Sequence, residues 1–297
     1  MKTKILALGF FALISIVSCS KDDDKQTTAS FSSDEAKVNS KIDLANDDVS
    51  DIVEGQFDET QNSAAGRYSE APANSSLPAC ATVVRNPAFG TPLTPGTEVT
   101  KTITFGNATE GCTLANGNVV QGTIIVTFTY QPDATTHIIN YQFVNFYHNL
   151  IKLNGNKNFT RTMSQATEQI PSHPIVVMNM QMTAEFPDGR IFTRVGTRTR
   201  EIIEGYNTPN NLLDNVYQVT GNWTTTFPNT TNQTSTITTP LLVKMSCRQV
   251  NKPLLVQGVI TFQRNGNSAT LDYGMGDCDN LAVFTINGNS YNIVIGN

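Results

Sequence analysis

Arg190, Arg194, Arg198 and Arg200 recur at even positions along one extended stretch, with Arg161 on what reads as a neighbouring strand. Side chains two apart on a strand share a face, so these guanidinium groups stand in a row. Such a row can grip a sulfate, a phosphate or the carboxylate of a uronic acid through forked hydrogen bonds. These five arginines are therefore the candidate ligand-binding residues. A simpler reading competes and is favoured: a solvated face whose charge is offset by Glu185, Asp188, Glu201 and Glu204.

Other side chains with chemical capacity have plainer explanations. Met178, Met180 and Met182 could offer soft sulfur ligands to copper(I). They share their face with Val176, Ala184 and Phe186, however, and read as core. Asp272, Asp277, Asp279 and Asn280 crowd around Cys278 and could hold calcium, yet the full loop spacing is missing and Asx turns account for them. His137, His148 and His173 are scattered, with no H-E-x-x-H spacing. There is no G-x-S-x-G, no phosphate-binding glycine loop and no spare cysteine nucleophile. The sequence implies no metal centre and no cofactor, and it leans away from an enzyme. Two acids from distant strands could still meet as the carboxylate pair of a glycoside hydrolase. Tyr130, Tyr141, Tyr147 and Trp223 could stack on sugars, although most of them read as core.

From residue 80 onward the apolar pattern has a period of two. Val120, Ile124, Val126, Phe128 and Tyr130 alternate with Thr123, Thr127 and Thr129, and 175–186, 216–227 and 235–247 repeat the theme. These are long strands with one core face and one polar, threonine-rich face. Asn116-Gly117, Asn154-Gly155, Asp188-Gly189, Asn265-Gly266 and Asn287-Gly288 supply the positive φ angles of tight hairpins. The pattern predicts one all-β domain over 79–297. It would be an antiparallel meander of about 12–14 long strands, forming a sandwich or an incomplete barrel.

Upstream, Ser32 and Glu35 have the spacing of a capping box. Ile42, Ala45, Val49, Ile52, Val53 and Phe57 then recur at helical steps. They predict an amphipathic helix near 34–58, roughly 37 Å long, acidic apart from that stripe. The stripe is expected to pack on the β body rather than on a partner. The rest of 19–78 reads as an acidic, disordered tether.

The 297 residues carry a formal charge of −5, unevenly placed. Residues 19–75 hold five basic and thirteen acidic side chains, a balance of −8, and 76–297 hold thirteen and twelve, a balance of +1. This reads as an acidic tail on a nearly neutral body. Without a concentrated basic face, nothing favours a nucleic-acid partner. Besides Cys19 there are Cys80, Cys112, Cys247 and Cys278, which allow three pairings. Thr102-Ile103-Thr104-Phe105-Gly106 leads to Cys112 much as Thr270-Leu271-Asp272-Tyr273-Gly274 leads to Cys278. The echo favours a stapled hairpin unit used twice, with bridges Cys80–Cys112 and Cys247–Cys278.

The first residues give an address. Lys2 and Lys4 precede an apolar run over 5–16. Its length is about twelve residues, where a membrane span needs roughly twenty. This is the pattern of a cleaved export signal over 1–18. Ile16-Val17-Ser18-Cys19 resembles the lipobox of bacterial lipoproteins, and Lys21-Asp22-Asp23-Asp24 resembles the signal that sends lipoproteins of the Bacteroidota phylum to the cell surface. The resemblance implies acyl chains on Cys19 anchored in the outer membrane, where two or more chains hold stably.

The body is also similar to an uncharacterised family of secreted lipoproteins of that phylum. The shared strings are Ile103-Thr104-Phe105-Gly106, Leu271-Asp272-Tyr273-Gly274 and Gly196-Thr197-Arg198-Thr199-Arg200. It implies no activity. The expectation is a surface lipoprotein that binds or scaffolds extracellular glycan or another envelope protein. A surface hydrolase acting on glycan is the alternative.

Overall fold

The structure, a computed structural model, describes residues 31–64, 77–107, 109–208 and 211–296. Cys19, Lys21, Asp22, Asp23 and Asp24, expected to carry the lipid and the export signal, lie outside the described residues, as does most of the expected linker after the helix.

Period-two patterning produces strands where it was expected. The sheet starts with β1 (Ala81–Asn86), β2 (Glu98–Phe105), β3 (Cys112–Thr113), β4 (Val119–Thr129) and β5 (Thr136–His148). It continues through β6 (Ile151–Met163), β7 (Pro174–Glu185), β8 (Ile191–Glu204), β9 (Val216–Thr226) and β10 (Asn232–Lys244). Next come β11 (Leu255–Arg264), β12 (Asn267–Met275), β13 (Leu281–Ile286) and β14 (Asn289–Val294). Successive strands pair antiparallel, except that β2 lies beside β4 and the two-residue β3 adds to β4. This is the expected meander, with fourteen strands. β1 and β14 do not pair with each other, so the barrel is incomplete.

Asn265-Gly266 and Asn287-Gly288 turn hairpins, each with φ of 50° and 77°. Asn154-Gly155 does not, contrary to its dipeptide signature. It lies inside β6, where Gly155 has φ of 120° and a Cβ would meet the Gln181 carbonyl oxygen at 2.3 Å. The glycine serves a close approach of two strands rather than a turn.

The register aligns outward side chains into bands that run across the strands. One band takes a single Asn, Thr or Ser from each strand of the meander. It begins at Asn86 on β1, passes through Asn140, Asn158 and Asn179, and ends at Ser290 on β14.

The helix, α1 (Ser33–Ala64), starts at the predicted box. Glu35 N–H donates to Ser32 Oγ (3.2 Å) while Ser32 N–H donates to Glu35 Oε2 (3.1 Å). Asp34 and Glu35 in the first turn suit the positive end of the helix dipole. It runs further than the apolar stripe predicts, with Thr60 Oγ1 bonding back to the Gln56 carbonyl beyond Phe57.

The expected stripe is wholly buried, and so is most of the acidic remainder, Asp43, Asp47, Asp48 and Asp51 included. Side chains reach Asp43, Asp48, Glu35 and Glu59 of the helix from β2, β5, β8, β11 and β12. The sheet therefore curls around the helix. A helix expected within a tether is instead the centre of the β body, and the described residues from Phe31 onward form one compact unit. The domain boundary expected at 79 does not separate them.

Both favoured disulfides are present. Cys80–Cys112 ties the start of β1 to β3, and Cys247–Cys278 ties the 3-10 turn Met245–Val250 to the β12–β13 loop. Closing loops of this length stabilises by roughly 3–4 kcal/mol each.

Candidate functional site

The arginine row faces inward. On β8, Arg194, Arg198 and Arg200 share a face with Phe192 and Ile202, and all five are buried. Arg194 is 0 % exposed. Its Nη1 donates to Asp43 Oδ1 (2.5 Å), and its Nη2 donates to Asn39 Oδ1 (2.8 Å). Arg198 donates to the same Asp43 oxygen and lies 3.6 Å from Asp47. Arg200 Nη1 donates to Glu54 Oε1 (2.9 Å). Trp223 and Tyr217 lie under these groups, with Arg198 4.2 Å from the indole and Arg200 3.6 Å from the phenol ring.

The expected anion site thus already holds anions, those of α1. Glu185, Asp188, Glu201 and Glu204 are not what offsets the three buried arginines. Asp188 pairs only with Arg190, which sits exposed in the turn before β8, and Glu201 bonds His173. Arg161 lies on β6, separated from β8 by β7, and pairs with Asp58. No open cradle for a sulfate or uronic acid is left along this row.

The same arrangement repeats around the helix. Lys101 Nζ donates to Glu59 (3.1 Å) and to the Gln56 carbonyl (2.9 Å), and Arg264 grips Glu35 with two bonds (2.9 and 2.6 Å). Arg248 pairs with Asp51. Asp48 accepts from Asn116 (2.6 Å) and Asn118 (2.7 Å) and meets His148 Nε2 at 2.7 Å. Burial has visible electrostatic effects. Desolvation pushes Asp47 up from 3.8 to about 7, against the pull of Arg198. Desolvation, with Arg198 and Arg194 nearby, brings Lys157 down to about 7. Such shifts mark catalytic groups in open clefts, but both residues are enclosed between helix and sheet, and Lys157 is spent on Asn46 Oδ1 at 2.6 Å.

The remaining candidates sort as their plainer readings suggest. Met178, Met180 and Met182 are buried in the core, as are Tyr130, Tyr141 and Trp223, so no aromatic platform forms from them. Asp272 and Asp279 cap turns, accepting from the backbone N–H of Gly274 and Leu281. Among the described residues, no three His, Cys, Asp or Glu side chains converge to hold a metal ion.

The outer face holds the feature that sequence reading passed over. A trough of about 620 Å³ crosses β4 to β8. Its walls are two rows of outward side chains in register. One row runs Thr127, Asn140, Asn158, Asn179, and the other Ile125, Gln142, Asn156, Gln181, Val195. The floor between them is formed at Tyr141, Lys157 and Met180, whose side chains are buried on the other side of the sheet. Asn179 Nδ2 donates to Asn158 Oδ1 (2.8 Å). Asn140, Gln142, Asn156 and Gln181 make no such side-chain bond, leaving donors and acceptors open to a ligand. The signal was present as Asn140-Tyr141-Gln142, Asn156-Lys157-Asn158 and Asn179-Met180-Gln181, one amide pair on each of three adjacent strands. Compared with known proteins, the chain matches no family model, no curated protein and no solved structure.

Proposed function

We propose that the chain is a lipoprotein anchored in the bacterial outer membrane through Cys19 and exposed on the cell surface. Its β body would bind or scaffold extracellular glycan or another envelope protein. The observation that carries the binding half is the trough: an open, uncharged, hydrogen-bonding surface with no carboxylate along its walls. Glycoside hydrolysis ordinarily needs two carboxyl groups facing each other across the bond to be cut, so the trough supports binding over the hydrolase alternative. The anchor half rests on the lipobox-like and acidic stretches of the sequence.

Fractionation tests the anchor. Cys19→Ser is expected to move the chain out of the membrane fraction. Alanine at Asp22, Asp23 and Asp24 should leave it membrane-bound but shielded from protease added to whole cells. Mass spectrometry finding residue 19 unmodified, or protease accessibility unchanged in the triple variant, would overturn the anchor or the surface location respectively.

A further inference from the structure

The chemistry of the trough narrows what it takes, provided the chain is a binding module as proposed above. A carboxamide both donates and accepts hydrogen bonds, and so does each hydroxyl of a sugar. Because the rows cross the strands, successive amides stand about 4.8 Å apart along a row, and the rows stand about 6.8 Å apart. The first spacing is close to the advance per sugar of an extended glycan chain. The second lets the two rows reach opposite edges of one ring. Ile125 and Val195, at the two ends of the second row, offer aliphatic surface to the C–H groups of a pyranose.

Other occupants fit less well. An acidic polymer would find no cation, since the Lys157 ammonium lies on the inner side of the sheet against Asn46. Protein interfaces are anchored by aromatic and arginine side chains, and none stands exposed along the trough walls. A peptide strand adds to a free sheet edge, whereas β4 to β8 are all interior strands. We infer that the trough binds a neutral, extended glycan laid across β4 to β8. Asn140, Asn158 and Asn179 hold one side of it, and Gln142, Asn156 and Gln181 hold the other.

Calorimetric titration of the full chain carrying Cys19→Ser tests this. The probes are neutral hexasaccharides of β-linked glucose or mannose, with polygalacturonate as the acidic comparison. Saturable binding of a neutral chain that survives added salt is expected. Loss of two amides in Asn158→Ala/Asn179→Ala should weaken it by at least about tenfold. Thr236→Ala/Thr261→Ala, in the same band but beyond the trough, should bind like wild type, and unchanged melting temperatures will show both folds intact. The inference is overturned if no neutral chain binds, if binding is confined to polygalacturonate and lost in salt, or if the amide variant binds normally. Capture of an envelope protein by the wild type, lost in the amide variant, would remove the glycan and leave the binding-module reading in place.

Discussion

The two faces of the same strands carry opposite chemistry. Globular proteins usually keep charge outside and neutral groups within. Here the interior face bears Lys101, Lys157, Arg194, Arg198 and Arg264, all nearly or wholly buried, while the outward rows that wall the trough over β4 to β8 carry amides, a hydroxyl and two aliphatics. Buried charge persists only when paired, and α1 supplies the counter-charges. The inner face is thus specified by a single internal partner. The trough on the outer face is left neutral along its walls, free to meet something that carries no charge either.

The largest expected effect comes from unpairing the interior. Asp43 receives Arg194, Arg198 and the Tyr273 hydroxyl. Asp43→Ala leaves two buried guanidinium groups without it and should cost about 3–5 kcal/mol in urea unfolding. A loss below about 1 kcal/mol would mean that water reaches this layer and that the contrast between faces is weaker than drawn. Next is the staple beside the layer. Replacing Cys247 and Cys278 with serine should cost roughly 2–4 kcal/mol, read as a lowered denaturation midpoint under non-reducing conditions.

A smaller effect depends on pH. With its folded value raised from 3.8 to about 7 by burial, Asp47 favours the fold most when protonated, and that contribution drains away as pH rises from about 4 to about 7. Lys157, lowered to about 7, works in the other window. Its burial penalty is complete below about 7 and is relieved as pH rises towards its ordinary value of 10.5. Asp47→Asn should therefore flatten the slope between pH 4 and 7 and raise stability near pH 8 by on the order of 1–2 kcal/mol. An unchanged pH profile would show that the carboxyl is already ionised and well paired. The smallest effect belongs outside. Asn140→Ala should change stability by less than about 0.5 kcal/mol, and a larger loss would assign the amide rows to holding the sheet rather than to a ligand.

Much of the sheet was legible because alternation has a sharp period and Asn-Gly turns have a specific geometry. Gly155 was misread because the same dipeptide can serve a close strand crossing. The helix was legible as a stripe, but not its position. The clue lay in parity. Arg194, Arg198 and Arg200 fall on the same alternate positions as Phe192 and Ile202, and Lys101 falls with Val99 and Ile103, so the cations occupy core positions. The charge imbalance of −8 against +1 recorded complementarity between two parts of one core, not a tail beside a body. The trough stayed hidden for a different reason. Each amide pair is unremarked alone, and only the register of five strands lines them up.

The position of α1 at the start of the chain has a consequence for assembly. Its acids are matched by residues as distant as Arg248, Arg264 and Tyr273. Contacts so far apart in sequence make for slow folding. A chain delivered from its N-terminus presents the acids long before the last cations arrive. Until β12 has been delivered, Asp43 has no Tyr273 to meet, so closure of the layer around α1 is expected to wait for that strand.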